Sequence, residues 1–98
     1  MEYEKILLHI GDAGERLNTR YLYALSGMTR AQLERFRQVW PTIETERRRL
    51  VIRNLAELTE HSFEVNFDPV FLLVLGDEDS DVRVAAIEGL WENEDQAL

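Results

Sequence analysis

The stretch that decides the fold is DPVFLLVLGDEDSDVRVAAIEGL, residues 68–90. The Asp-Pro pair that opens it is typical of a helix start, because aspartate caps a helix and proline fits the first position, where no N–H partner is needed. Gly76 is typical of a helix end, and Asp79 or Ser80 can cap a second helix. The stretch therefore predicts a short helix, an acidic turn and a second helix. That second helix is predicted to bury one side, formed by Val82, Ala86, Ile87 and Leu90.

The apolar run at residues 70–75 also fits a buried strand. We favour a helix because no other segment of the chain offers a strand that could pair with it. Elsewhere the apolar residues recur at helical spacing, and Thr29 with Gln32 three residues later fits a capping box. The remaining helices are predicted over about 2–10, from Asn18 or Thr19 to Gly27, from Thr29 to Pro41, and from Thr45 to about Thr59.

The composition predicts a single globular domain over residues 1–98, since 45% of the residues are hydrophobic and 31% are charged. The absence of cysteine excludes disulfides and zinc–thiolate sites. The longest apolar run is far shorter than the ~20 residues needed to span a bilayer. The first four residues lack the basic start of a signal peptide. We therefore expect a cytoplasmic protein with no membrane partner.

The formal net charge of −8 lies in the last third of the chain. Residues 1–66 hold ten basic and ten acidic side chains, whereas residues 67–98 hold one and nine. The excess acid repels phosphate backbones and anionic lipid, so we expect no nucleic-acid partner. The basic middle and the acidic end also allow contact between two copies. The basic residues of the middle cluster within one short stretch, at Arg47, Arg48, Arg49 and Arg53.

A shift of 35 residues aligns the chain with itself, placing Phe36 on Phe71 and Arg48 on Arg83. Two helix pairs therefore share one plan. Because neither helix of a pair can bury its apolar face alone, stacked pairs would form a continuous core. The same shift aligns four apolar residues with four others: it places Leu50, Val51, Ile52 and Leu55 on Ala85, Ala86, Ile87 and Leu90, in that order.

Residues 68–93 resemble a HEAT repeat of the bacterial HEAT-like type, in which an acidic turn leads to a Val-Arg pair, a small residue and a leucine. Residues 29–60 resemble it more weakly, because Arg47 stands where the family prefers valine. Residues 2–27 would then be a degenerate N-terminal cap pair. The resemblance implies an all-α fold, a short right-handed α-solenoid of about three antiparallel helix pairs.

HEAT-like repeats usually bind other macromolecules on the concave face that their second helices line. The resemblance therefore implies a non-catalytic scaffold for protein–protein interaction, as the N-terminal part of a longer solenoid or as a small self-associating module. Its partner would be another protein or further HEAT repeats. The candidate partner-binding residues are those on the second helices that are polar or aromatic, namely Arg49, Arg53, Glu57, Glu88 and Trp91.

The arginines at 47–49 fall in the first turn of their helix, where the macrodipole is unfavourable to cations. Stacking with a 35-residue shift would place the acidic turn at 77–81 beside them, where Asp81 or Asp79 can pair with Arg48. The resemblance supports this pairing, because HEAT repeats often carry an Asp/Arg ladder along these turns. We therefore predict a structural ladder formed by Glu46, Arg48, Asp81 and Arg83.

The acidic loop at 77–88 offers an alternative function, a calcium-responsive helix–loop–helix module. Its carboxylates match positions 1, 3, 5 and 12 of an EF-hand loop. Val82 stands at position 6, where an EF-hand needs glycine for its sharp turn. The competing interpretation is an acidic turn whose carboxylates cap the next helix. The four residues concerned are Asp77, Asp79, Asp81 and Glu88.

The sequence carries no pattern that indicates catalysis. His9 and His61 have no metal companion at helical spacing, and the chain lacks cysteine, a nucleophile elbow and a paired-carboxylate pattern. We therefore expect no enzyme activity, no cofactor and no bound metal.

Overall fold

The computed structural model describes residues 2–62 and 64–97, and their regular structure is helical, which confirms the all-α class. The apolar run that follows Pro69 therefore forms a helix and not a strand. Among these residues, no helix combines the length and the apolar character needed to cross a membrane. The α-helices are α1 (Tyr3–Gly11), α2 (Arg30–Val39), α3 (Thr45–His61), α4 (Asp68–Val74) and α5 (Ser80–Ala97). The first 3-10 helix is Thr19–Leu25, and the second is Trp40–Thr42.

Side chains cap the N-termini of several helices. Thr29 and Gln32 form the predicted capping box, since each side chain accepts a hydrogen bond from the other residue's backbone N–H, at 3.1 and 3.0 Å. Asp79 caps the start of α5, because its Oδ2 accepts a hydrogen bond from the Val82 N–H at 3.1 Å. Asp68 differs from its predicted role as a cap. It is the first residue of α4, and Asn66 Oδ1 accepts from its N–H at 3.1 Å.

The segment predicted as a second helix is the first 3-10 helix. Asn18 begins it by accepting a hydrogen bond from the Arg20 N–H at 3.1 Å. Gly27 follows its end with a φ of 64°, a left-handed conformation that glycine adopts without a steric penalty. Both ends therefore lie where the sequence placed them, and only the tighter helical form differs.

Contacts between elements form two rows. In one row α1 contacts α2, and α2 contacts α4. In the other row the first 3-10 helix contacts α3, and α3 packs along α5 in the most extensive contact between two elements. The rows are joined by contacts of α1 with both the first 3-10 helix and α3, and by contacts of α4 with α5.

One continuous core runs through both rows. Phe36 on α2 stacks on Trp40, with ring centroids 5.2 Å apart, and Phe71 on α4 meets Phe67 edge-to-face at 6.4 Å. The residues of α5 that face this core are small, which lets α5 approach closely. Gly89 is the closest case, because a β-carbon there would lie within 2.6 Å of the Phe71 ring carbons Cε1 and Cε2.

Replacing Gly89 with alanine is expected to lower the free energy of unfolding by about 1–2 kcal/mol, because overpacking against a buried ring outweighs the gain in helix propensity. Gly76→Ala is the matched control, since a β-carbon there would meet only the Leu73 carbonyl oxygen, at 3.9 Å. Urea denaturation of both variants measures the difference. A Gly89→Ala variant as stable as the wild type would contradict the close approach of α5 to Phe71.

Candidate interaction surface

The acidic turn between α4 and α5 lies against the start of α3, as the 35-residue shift predicts. Arg49 of α3 binds Asp79 with two hydrogen bonds, from Nη2 to Oδ1 at 2.7 Å and from Nε to Oδ2 at 3.0 Å. Its guanidinium also lies 3.1 Å from Glu46 and 3.5 Å from Asp81. Charge-assisted, two-point hydrogen bonding fixes orientation as well as distance, so this contact sets how α5 lies on α3.

A second ion pair lies deeper in the same contact. Arg48 Nε is 3.3 Å from Asp77 Oδ2, and both side chains are only 4% exposed. Asp77 Oδ2 also accepts a hydrogen bond from the Trp40 indole N–H at 2.8 Å. Arg48 Nη1 donates to the Ile43 carbonyl at 3.0 Å. The pair therefore joins three elements, the second 3-10 helix, α3 and the turn before α5.

The predicted ladder residues all lie in this region, but Arg48 and Asp81 are not partners of each other. Asp81 contacts Arg49, whereas Arg48 contacts Asp77 and Glu78. Successive residues of an α-helix differ by about 100° in direction, so Arg48 points into the core while Arg49 faces the start of α5. The other two residues of the predicted ladder also have partners other than Arg48. Glu46 contacts Arg49, and Arg83 Nη1 donates to the Asp77 carbonyl at 2.6 Å.

Arg47 has a structural role that the sequence reasoning missed. Its side chain is buried and donates to the carbonyl oxygens of Ile10 at 2.8 Å, Glu15 at 2.6 Å and His9 at 2.9 Å. The 35-residue shift aligns Arg47 with Val82, which lies in the core. This alignment was the signal in the sequence that could have predicted a buried Arg47. At the C-terminal end of α1 the guanidinium meets the carbonyls of the last turn and the negative end of the helix dipole.

The Asp79 carboxylate is the most perturbed acid of the site. Hydrogen bonding to Arg49, together with the backbone N–H groups of Val82 and Asp81, lowers the pKa of Asp79 from its ordinary value of 3.8 to about 2. The folded state therefore binds this proton more weakly than the unfolded state. The stability that follows is present above about pH 4 and is lost as the pH falls towards 2.

Asp79→Asn tests that pH dependence, because asparagine keeps the helix cap while removing the charge. We expect the variant to melt at a lower temperature than the wild type at neutral pH. The difference should shrink as the pH falls from about 4 towards 2, where the wild-type carboxylate becomes protonated as well. Thermal melts across this range measure it. A difference that persists undiminished at the acidic limit would rule out the ion pair as its source.

Three of the candidate partner-binding residues share one groove between α3 and α5. Arg53, Glu57 and Glu88 line this groove, which has a volume of about 350 Å³. Glu60 and Glu92 also line it, so carboxylates dominate its walls. The other two candidates lie outside this groove, because Arg49 is engaged by Asp79 and Trp91 is not among the residues that line it.

The outer face of α5 carries an exposed apolar stripe, formed by Val84, Ile87 and Trp91, which we name the α5 stripe. These residues stand at i, i+3 and i+7, a spacing that places them on one side of a helix. Trp91 is the most exposed, with 66% of its surface accessible. The opposite side of α5, which includes Val82 and Ala86, is buried. Helix α5 is therefore apolar on two opposite sides.

The sequence prediction that Ile87 faces the core is wrong. Ile87 is 40% exposed, whereas its neighbour Ala86 is fully buried. One residue turns the direction of a side chain by about 100°, and α3 and α4 cover only one side of α5. Leu90 is partly buried against the core, so the boundary of the covered side falls between Ile87 and Leu90.

The aspartates of the loop at 77–88 contact arginines. Asp77 contacts Arg48, and Asp79 binds Arg49. Glu88 lines the groove between α3 and α5. In the part of the chain that the structure describes, no group of three or more His, Asp or Glu side chains is arranged to hold a metal ion.

No known protein family, curated protein or solved structure matches this chain. Its function is therefore inferred from the arginine–carboxylate contact, the groove and the α5 stripe.

Proposed function

We propose that this chain is a non-catalytic, HEAT-like repeat module that binds another protein through the outer face of α5. The observation that carries this proposal is the α5 stripe. A folded domain gains by burying apolar side chains, and a contiguous exposed patch marks a surface that another protein covers. Tryptophan is also enriched among the residues that dominate binding energy at interfaces, and Trp91 is the most exposed member of the stripe.

The repeat interpretation is supported by the order of contacts. Helix α1 packs with the first 3-10 helix and α4 packs with α5, and α2 and α3 follow each other between these two pairs. The first members, α1, α2 and α4, contact one another in one row, and the second members do so in the other. Stacking of like on like is the packing expected of a helical-repeat solenoid.

Some residues that the 35-residue shift aligns also share environments, although Ile52 is fully buried and its counterpart Ile87 is 40% exposed. Phe36 and Phe71 are both fully buried. Arg48 and Arg83 each donate from Nη1 to a carbonyl of the turn that precedes their helix, on Ile43 and Asp77 respectively. These parallels support a common plan for the second and third pairs.

The two ends of the stack differ. Terminal repeats of solenoids require a polar outer face for solubility. At the first pair, Leu8 and Tyr23 are exposed, one on each element. Among its described side chains, helix α5 exposes three large apolar residues on a single helix. The α5 end therefore has the more continuous apolar face for a partner to cover, either a separate protein or further repeats of the same kind.

The test compares Ile87→Asp with Leu50→Asp, which changes a residue of matched exposure, 41% against 40%, on another helix. Sedimentation velocity from micromolar to millimolar protein follows self-association, which the stripe should drive when no other partner is present. We expect Ile87→Asp to raise the dissociation constant about a hundredfold, because the contact would bury an unpaired carboxylate. Leu50→Asp should behave as the wild type does. A wild type that stays monomeric, or equal losses in the two variants, would contradict the proposal.

A further inference from the structure

The end of the stack opposite α5 carries its own exposed apolar side chains. Leu8 on α1 is 73% exposed, and Tyr23 on the first 3-10 helix is 49% exposed. A basic residue stands three positions before each of them, Lys5 and Arg20. Residues three apart share a face on a 3-10 helix, and they are neighbours on an α-helix. We name these four residues the N-terminal face.

The N-terminal face carries two exposed cations. Lys5 and Arg20 form no ion pair within the described residues. The acids near Lys5 have contacts of their own, since Glu15 lies 3.4 Å from His9 Nδ1 and Asp12 Oδ1 accepts from the Gly14 N–H at 3.0 Å. Beside the α5 stripe, Glu88 and Glu92 likewise have no cation within ion-pair distance in the described part of the chain.

Arg47, Arg48 and Arg49 of α3 are not available to receive an acidic partner surface. Arg47 is bound to three carbonyl oxygens, Arg48 to Asp77, and Arg49 to Asp79. Arg53 lines the groove between α3 and α5. At the N-terminal face, Lys5 and Arg20 are exposed cations close to the apolar side chains, where they can meet an acidic surface of another copy.

Pairing of two α5 helices with each other is electrostatically unfavourable. It would bring Glu88 and Glu92 of one copy towards the same residues of the other, and residues 67–98 hold nine acids against one base. Like charges placed opposite each other in an interface disfavour it strongly. A contact between different faces avoids this repulsion.

We infer that the α5 stripe of one copy docks on the N-terminal face of a second copy, head to tail. This inference rests on the proposed function and names its partner. In the contact, Ile87 and Trp91 pack against Leu8 and Tyr23, and the glutamates beside the stripe meet Lys5 and Arg20. The second copy continues both rows of the stack. Because the two faces differ, the contact is heterologous and leaves an open end on every assembly.

The experiment mixes two blocked variants. Ile87→Asp blocks the α5 stripe, and the double variant Leu8→Asp with Tyr23→Asp blocks the N-terminal face. Each should be monomeric by light scattering at a concentration where the wild type associates. An equimolar mixture should form a dimer of twice the monomer mass and nothing larger, because each variant keeps one usable face. Circular dichroism melts establish that both variants are folded.

Charge reversal gives a second test that leaves the apolar residues in place. Arg20→Glu should weaken association several-fold at low salt, and combining it with Glu88→Arg in the same chain should restore it. In ~0.5 M salt, where charges are screened within a few ångströms, the effect of Arg20→Glu should be small.

The outcomes separate this inference from the proposed function. If the variant blocked at the N-terminal face still associates like the wild type, while Ile87→Asp does not, then the head-to-tail contact is refuted and α5 remains the interaction surface. A mixture of blocked variants that stays monomeric likewise refutes the head-to-tail contact. If the wild type itself does not associate, both the inference and the proposed function fail.

Discussion

Replacing Arg48 with alanine is expected to lower the free energy of unfolding by about 3–5 kcal/mol, the loss typical when one partner of a buried ion pair is removed. The Asp77 carboxylate would remain in the core with the Trp40 indole N–H but without its cation. The Ile43 carbonyl would lose its side-chain donor as well. Urea denaturation measures the loss directly.

A control variant and a double-mutant cycle identify its source. Arg37→Ala removes an arginine from an exposed pair with Glu34, so its loss should be smaller and should fall in high salt. Arg48→Met leaves the Asp77 carboxylate without its cation. Adding Asp77→Asn removes that charge, while the asparagine side-chain oxygen can still accept the hydrogen bond from the Trp40 indole N–H. The double variant should therefore lose less stability than the two single changes sum to. An Arg48→Ala melting temperature equal to that of the wild type, at low and high salt alike, would overturn the role of this pair.

Replacing Arg47 with alanine is expected to lower the free energy of unfolding by about 3 kcal/mol, because hydrogen bonds from a charged donor are among the stronger ones. Three carbonyl oxygens would lose that donor, and one of them belongs to the fully buried Ile10. Hydrogen exchange in α1 should also quicken, because Arg47 ties the end of this helix to α3.

The matched control is Arg47→Lys, which keeps the charge but not the planar set of donors. We expect it to retain only part of the lost stability, since an ammonium group cannot reproduce the three directions of the guanidinium. Salt should change the loss little, because the partners are neutral carbonyls. Wild-type stability in Arg47→Ala, with unchanged exchange in α1, would show that these hydrogen bonds do not hold α1 in place.

Much of the fold was predictable because it depends on local chemistry. The capping box at Thr29, the caps at Asn18 and Asp79, and the glycine at 27 act within a few residues of their own position. The 35-residue shift added a long-range prediction, that the acidic turn lies beside the arginines of α3, and the ion pair of Arg49 with Asp79 confirms it.

The partners of individual arginines were not predictable in the same way. Arg47, Arg48 and Arg49 are adjacent in sequence, yet they meet carbonyl oxygens, a buried carboxylate and a partly buried carboxylate respectively. Which partner each one finds depends on its direction around α3 and on what the other elements place there. That information is absent from spacing alone.

The candidate site was predictable only in part. Arg53, Glu57 and Glu88 do share a groove, because α3 and α5 pack side by side. The α5 stripe was hidden, since Ile87 fits a helical core pattern as well as an outer one. Only the packing of α3 and α4 on a single side of α5 reveals which apolar residues remain uncovered.

The central claim is that a partner covers the α5 stripe, and fluorine NMR of protein labelled with fluorotryptophan tests it most directly. The chain has two tryptophans, Trp40 in the core and Trp91 on the stripe, so two resonances are expected, assigned with Trp91→Phe. From micromolar to millimolar protein at low salt, the Trp91 resonance should shift while that of Trp40 stays fixed. Two resonances that are both unchanged over this range would contradict the account.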